Sequence, residues 1–183
     1  MTVKLSTLCL VLGSVIALPQ IHGLLKPAAF AAAVRKFPRS VPIGVALMLI
    51  GTVWFLRNVG AEVSAEVVSF KPFLIPGFAA VGIGSCIFVQ DFLAIRGLAV
   101  LLLLLAQLMV DSGRPMLPKS HWTWIIQGWA YLLVLVGMWF TISPWRGRDF
   151  LNWAVATEQR VRIGSAIRLA FALAIIALGV FAF

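Results

Sequence analysis

The chain has 183 residues, of which 62% are apolar and only 11% are charged, with a formal net charge of +9. A soluble domain carries roughly 45–50% apolar and about 25% charged residues, so a water-soluble globule is excluded; it would expose apolar patches that drive association. Nor does the charge describe a nucleic-acid surface, because the basic residues sit in short clusters between apolar runs, where membrane topology and anionic headgroups account for them.

Six apolar segments approach the roughly 17–25 helical residues that a hydrocarbon core about 30 Å thick requires. They cover residues 5–21, 41–56, 73–89, 92–110, 122–142 and 161–183. The first also fits a secretory signal, with Lys4, an apolar run and small residues ending at Ala17. With Met1 in place it reads as a retained helix, ended by Pro19 and Gly23. The second and third segments are short and contain Pro42, Pro76, Gly77, Gly82 and Gly84, so partial re-entry of either is an alternative and five to six spans are expected. Cys9 and Cys86 lie inside apolar segments without CxxC spacing and read as small buried hydrophobes.

Two amphipathic stretches separate spans. Residues 26–37 mix Ala, Phe and Val with basic residues and open on Pro27, which suits a first helical turn. Residues 145–159 place Phe150, Trp153, Ala154 and Thr157 at helical spacing, with Arg148, Asp149 and Glu158 elsewhere on the wheel. Such segments lie in the membrane interface with the apolar side down, the alternative being a solvated linker.

The same stretches introduce an internal repeat. At a shift of 120 residues, Phe30 meets Phe150, Val41 meets Val161, Ile43-Gly44 meets Ile163-Gly164, Ala46 meets Ala166 and Leu49 meets Leu169. Span, basic interfacial helix and a span opening with Ile-Gly recur in that order, which is the signature of a fixed-period repeat. The expected fold is therefore an all-α integral membrane protein of one domain, built as three helical hairpins. Repeats at about 5–56 and 122–183 flank a middle hairpin at 73–110, and the copies share one orientation.

The last hairpin resembles the small YjeT-type membrane proteins of bacteria. The similarity rests on Pro144, Trp145, Arg146 and Arg148, followed by Arg160 or Arg162 and then Gly164, over about residues 125–183. The first hairpin matches loosely and the middle one does not. The resemblance implies a bacterial cell membrane and carries no assigned activity.

Orientation follows from the basic residues. The first and fifth loops hold Lys26, Arg35, Lys36 and Arg39, and Arg146, Arg148, Arg160 and Arg162, against Arg57, Lys71, Arg114 and Lys119 in the second and fourth loops. The positive-inside rule puts loops 1, 3 and 5 in the cytoplasm and both termini outside.

Chemistry is sparse. The two ionisable groups inside spans are Arg96 and Arg168; snorkelling on their long stems is the favoured reading, ahead of a buried ion pair such as Arg96 with Asp91 of a neighbouring chain or hairpin. His22 and His121 fall on opposite membrane sides in this topology, against a shared haem. Glu62, Glu66, Asp111 and His121 offer a remote possibility of an outer-face metal site, with a solvated helix face favoured. No catalytic residue, cofactor site or metal centre is assigned. Trp54, Trp122, Trp124, Trp139 and Trp145 fall near span ends as an interfacial belt, whereas Trp129 and Trp153 fit less simply. Small-residue stripes at Ala166, Ala170 and Ala174, and at Ala80 and Gly84, read as helix-packing faces, and residues 101–105 as including lipid-facing positions. By exclusion, the expected role is a non-catalytic accessory or scaffold subunit of a larger membrane complex, in contact with lipid and other membrane subunits. The alternative is a small transporter or channel, for which Arg96, Arg168 and a break at Pro76-Gly77 would line the path.

Overall fold

The computed structural model describes residues 4–61 and 65–183, with residues 65–67 described by their backbone alone. Among the described residues eight α-helices follow one another: α1 (Leu5–Leu25), α2 (Pro27–Lys36), α3 (Val41–Ala61), α4 (Ala65–Phe88), α5 (Leu93–Gly113), α6 (Thr123–Ile142), α7 (Pro144–Ala154) and α8 (Glu158–Phe181). Short 3₁₀ turns lie at Phe37–Arg39 and Arg114–Met116, and there is no strand among the described residues. The six long helices α1, α3, α4, α5, α6 and α8 are each long and apolar enough to cross a membrane. The order long–short–long recurs in α1–α2–α3 and α6–α7–α8, matching the element order of the sequence repeat.

Local chemistry explains the boundaries. Pro27 and Pro144 each occupy the first helical position, where the missing N–H would have had no intrahelical partner. Thr157 caps α8 by accepting a hydrogen bond from the Arg160 amide at 3.3 Å, with Glu158 in the positive first turn. Phe92, in the α4–α5 connection, has φ 54°, a left-handed conformation strained for a bulky side chain.

Two expected interruptions are absent. Helix α1 continues through Pro19 and Gly23 to Leu25, and α4 continues through Pro72 and Pro76. A proline inside a helix removes one backbone hydrogen bond, and the flanking turns keep theirs. Gly23 serves contact rather than termination: it is buried, and a methyl added there would collide with the Ser165 hydroxyl.

The chain divides into two compact units, one of Met1–Lys36, Leu105–Val134 and Arg148–Phe183, the other of Phe37–Leu104 and Leu135–Gly147. In the first unit α1 and α8 run antiparallel. Gly23 lies against Ser165, Gly13 against Ala172 and Ile176, and Gly179 against Cys9 and Ser6. Leu5, Leu8 and Cys9 of α1 form one apolar core with Ala106 and Met109 of α5, Ile126 and Ala130 of α6, and Ile175 of α8. Trp129 is half-buried: it packs against this core and edge-on against Phe171, with ring centroids 5.1 Å apart.

In the second unit α3 and α5 run parallel. A methyl on Gly44 would stand 2.7 Å from the Ala94 amide nitrogen, one on Gly97 would stand 2.9 Å from the Met48 nitrogen, and one on Gly51 would stand 2.9 Å from Val100. Helix α4 returns antiparallel along α3, with Gly82 against Thr52 and Phe78 edge-on to Phe55 at 4.9 Å. Gly137 of α6 approaches Leu103 and the Ala99 carbonyl. The starts of α3 and α5 thus share one end of this unit.

Within the first unit the first long helix pairs with the last, and α6 meets α8 through Trp129 and Phe171; within the second, α3 pairs with both α4 and α5. In residues 101–105, Leu104 is buried and its neighbours are half-buried, and α5 is the most enclosed of the long helices. Where the surroundings are as apolar as the side chains, hydrophobicity does not decide which helix is central, and small residues that permit close approach do. Ala94, Gly97, Ala99 and Ala106 of α5 are all buried.

Candidate functional site

Two faces stand out by their residue content. The first is a basic, aromatic end of the first unit. Helix α2 packs on both α1 and α8, bringing Lys26, Arg35 and Lys36 to the end where α1 finishes and α8 begins. Arg148, Arg160, Arg162 and Arg168 belong to the same unit, with Asp149 and Glu158 the acidic residues of its 148–168 stretch. The Arg35 guanidinium donates to the Val155 carbonyl at 2.9 Å, just past the end of α7. A cation at the carbonyl end of a helix is favoured by the helix dipole as well as by the hydrogen bond. Arg160 lies 5.3 Å above the Trp153 ring and donates at 3.5 Å to the Trp153 carbonyl. Trp153 and Phe150 stack on one another, both exposed, which suits an interfacial helix rather than a core. The Arg148–Asp149 ion pair at 2.7 Å is part-exposed and contributes little.

Arg168 belongs to this end as well. Its Nε donates to the Gly164 carbonyl at 3.0 Å, folding the side chain back toward the start of α8. That is the direction a snorkelling arginine takes. Arg96 stands in the first turn of α5, a shallower position than a mid-span one, and its Nε is enclosed without a hydrogen-bond partner. No Asp91–Arg96 ion pair forms within the chain.

The second face is on α4. Gly77 meets no side chain within 4 Å, Ala80 is exposed, and a methyl on Gly84 would meet only Phe88 of its own helix, at 3.9 Å. At about 100° per residue these positions lie roughly 150° around the helix from Phe78 and Gly82, which face α3. Around them Phe70, Phe73, Val81, Ile87 and Phe88 are exposed, and α4 is the least buried of the six long helices.

The expected α8 stripe is open within this chain. Ala166, Ala170 and Ala174 are all exposed, while the buried line is Val161, Ser165, Ala172, Ile175 and Gly179, about 180° around the helix. The α1 partners, Cys9, Gly13 and Ala17, recur every four residues, and Ser165, Ala172 and Gly179 every seven. Both periodicities are visible in the sequence once read as a pair. Gln20 and Ser165 are buried in this seam with side-chain oxygens that have no partner, and neither was singled out by sequence.

His22 and His121 are exposed, one in the last turn of α1 and the other just before α6. The Glu62 and Glu66 side chains lie outside the described residues. Among the described residues no three His, Cys, Asp or Glu gather as metal ligands. Comparison with protein-family models, with curated proteins and with solved structures finds no match to this chain.

Proposed function

We propose that the chain is a multi-pass membrane protein that acts by packing, as a non-catalytic accessory or scaffold subunit of a larger membrane assembly. The observation that carries this reading is α4: a 24-residue helix that uses one side against α3 and leaves small residues open on the other. Close van der Waals approach between helices depends on such residues in lipid, so Gly77, Ala80 and Gly84 are where a partner helix would fit. The basic end of the first unit faces the cytoplasmic leaflet, with α2 and α7 lying in its interface, in the bacterial cell membrane that the YjeT-type resemblance implies. The transporter reading loses one of its supports, because α4 is continuous through Pro76 and Gly77.

The test is purification of the tagged chain from its native membrane in mild detergent, beside a Gly77→Leu/Gly84→Leu variant. A membrane protein that copurifies with the parent and is lost from an equally abundant variant supports the proposal. Equal recovery of companions by both, or none with either, overturns it. Orientation is tested in a Cys9→Ala/Cys86→Ala background with single cysteines at Ser40, Thr157 or Ser120. An impermeant thiol reagent applied to intact cells should label only the last, and the reverse pattern would invert the topology.

A further inference from the structure

At the other end of the first unit a cavity of about 420 Å³ is lined by Lys4, Leu5 and Ser6 at the start of α1, Asp111 and Ser112 in the last turn of α5, Pro115 and Met116 beyond it, and Phe183. Its volume falls within the range of small-molecule sites, roughly 300–1,000 Å³. It sits at the ends of long apolar helices, which is headgroup depth for a membrane protein.

Both charges on this cavity stand at the wrong ends of their helices. Lys4 is the residue before α1, whose first amides have no intrahelical acceptor and no side-chain cap, so a cation there opposes the helix dipole. Asp111 is in the last turn of α5, where a carboxylate faces the negative end of the dipole. Among the described residues neither side chain is relieved by an ion pair or hydrogen bond, and they do not pair with each other. Ser112, which lines the same cavity, is only 5% exposed, and its Oγ has no partner. Two unfavourably placed charges of opposite sign and an orphaned hydroxyl thus meet on one hollow.

We propose that this cavity binds a zwitterionic phosphoethanolamine group, as carried by phosphatidylethanolamine. An anionic phosphate at the start of α1 satisfies Lys4 and the free amides together. An ammonium two carbons away meets Asp111 and the carbonyl end of α5, and its N–H donors suit a carboxylate in a way that a quaternary ammonium cannot. Ser112 supplies a further donor or acceptor, and Leu5, Met116 and Phe183 provide apolar wall for the glycerol and first acyl carbons.

The test uses the intact chain in detergent, with thermal unfolding and native mass spectrometry read against added phosphatidylethanolamine, phosphatidylcholine or phosphatidylglycerol. Phosphatidylethanolamine should bind tightest. Asp111→Asn should weaken it about tenfold and abolish its advantage over phosphatidylglycerol, a loss of the size a charge-assisted hydrogen bond gives. Lys4→Gln should weaken phosphatidylethanolamine and phosphatidylglycerol alike, whereas Lys119→Gln, the same charge change outside the cavity, should alter nothing. Water-soluble glycerophosphoethanolamine separates the sources: binding comparable to the lipid assigns the site to the free compound, and binding of the lipid alone assigns it to the bilayer. Equal binding of all three lipids by the parent, or an Asp111→Asn variant that keeps the preference, overturns the proposal.

Discussion

The seam between α1 and α8 and the outer face of α4 are built from the same residue types and used in opposite ways. In the seam, Cys9, Gly13 and Gly23 of α1 meet Ser165, Ala172 and Gly179 of α8 at contact distance. On α4, a methyl on Gly77 or Gly84 would meet nothing from another helix, and Ala80 is exposed. In water the second arrangement would be unremarked, because small residues do not need hiding. In lipid, small residues are what lets helices approach, so an open stripe marks either a partner's place or a face with no structural duty. The difference is one of neighbours, and it can be broken from either side.

The largest effect is expected in the seam. A side chain at Gly179 would begin 2.8 Å from the Cys9 Cβ and 3.0 Å from the Ser6 carbonyl oxygen, and the latter is backbone that cannot swing aside. Gly179→Leu should therefore destabilise the detergent-purified chain by about 1–3 kcal/mol, the usual range for overpacking, as a lowered thermal midpoint. An unchanged midpoint would mean that α1 and α8 do not pack along this line.

Composition made the six long helices legible, because an apolar run of membrane-spanning length has few other readings. Pro27 and the basic residues around it likewise disclosed α2 closely, whereas the stretch at 145–159 ran past the end of α7 at Ala154 into Thr157 and Glu158, which cap and open α8. Helix partners were not legible. The alanines at 166, 170 and 174 and the buried line at 165, 172 and 179 are both small-residue rows, and a row shows a side that could pack without naming what it packs against. The end-to-end pairing of α1 with α8 joins residues more than 140 positions apart, and no local spacing encodes it. The cavity was invisible for the same reason: Lys4 read as the basic start of the first span and Asp111 as a candidate metal ligand, and only the fold brings their two distant helix ends together.

A smaller effect is expected where polar contacts tie α2 to the end of α7 beside the seam. Arg35→Ala removes the hydrogen bond to the Val155 carbonyl and the charge at the end of α7. About 1 kcal/mol should be lost, with part recovered in Arg35→Lys, which keeps the cation without the planar fork. Thermal unfolding of the two variants side by side measures this, and equal loss in both would leave the charge without a role.

Ser165→Ala should move stability the other way. Ser14, Thr52, Ser85 and Thr141 each donate to the carbonyl four residues earlier at 2.7–2.8 Å, whereas the fully buried Ser165 hydroxyl makes no such bond. Removing an unsatisfied buried hydroxyl without changing the backbone contact is expected to stabilise by less than about 1 kcal/mol. A loss on the unfolding midpoint would instead reveal a partner for that oxygen, with Gln20 on the facing helix the first to be substituted.

The smallest effect is the sharpest test of the comparison. Gly77 and Gly82 lie five residues apart on α4 and look alike in sequence, both in an apolar run. A side chain at Gly82 would strike Thr52, whose hydroxyl is already committed to the Met48 carbonyl at 2.8 Å, so Gly82→Leu should cost as the seam variant does. At Gly77 the added side chain meets open space. Because Leu is favoured over Gly within a helix by up to about 1 kcal/mol, Gly77→Leu should leave the isolated chain's midpoint unchanged or slightly raised. Ala170→Leu, on the exposed side of α8, should be within about 0.5 kcal/mol of the parent for the same reason. Should Gly77→Leu cost as much as Gly82→Leu in the isolated chain, the outer face of α4 is packed within the chain and the two regions are not opposites. If Gly77→Leu is silent in the isolated chain and costly only in the native-membrane preparation, the open stripe belongs to a partner, and the difference between the two midpoints measures how much that partner's contact contributes.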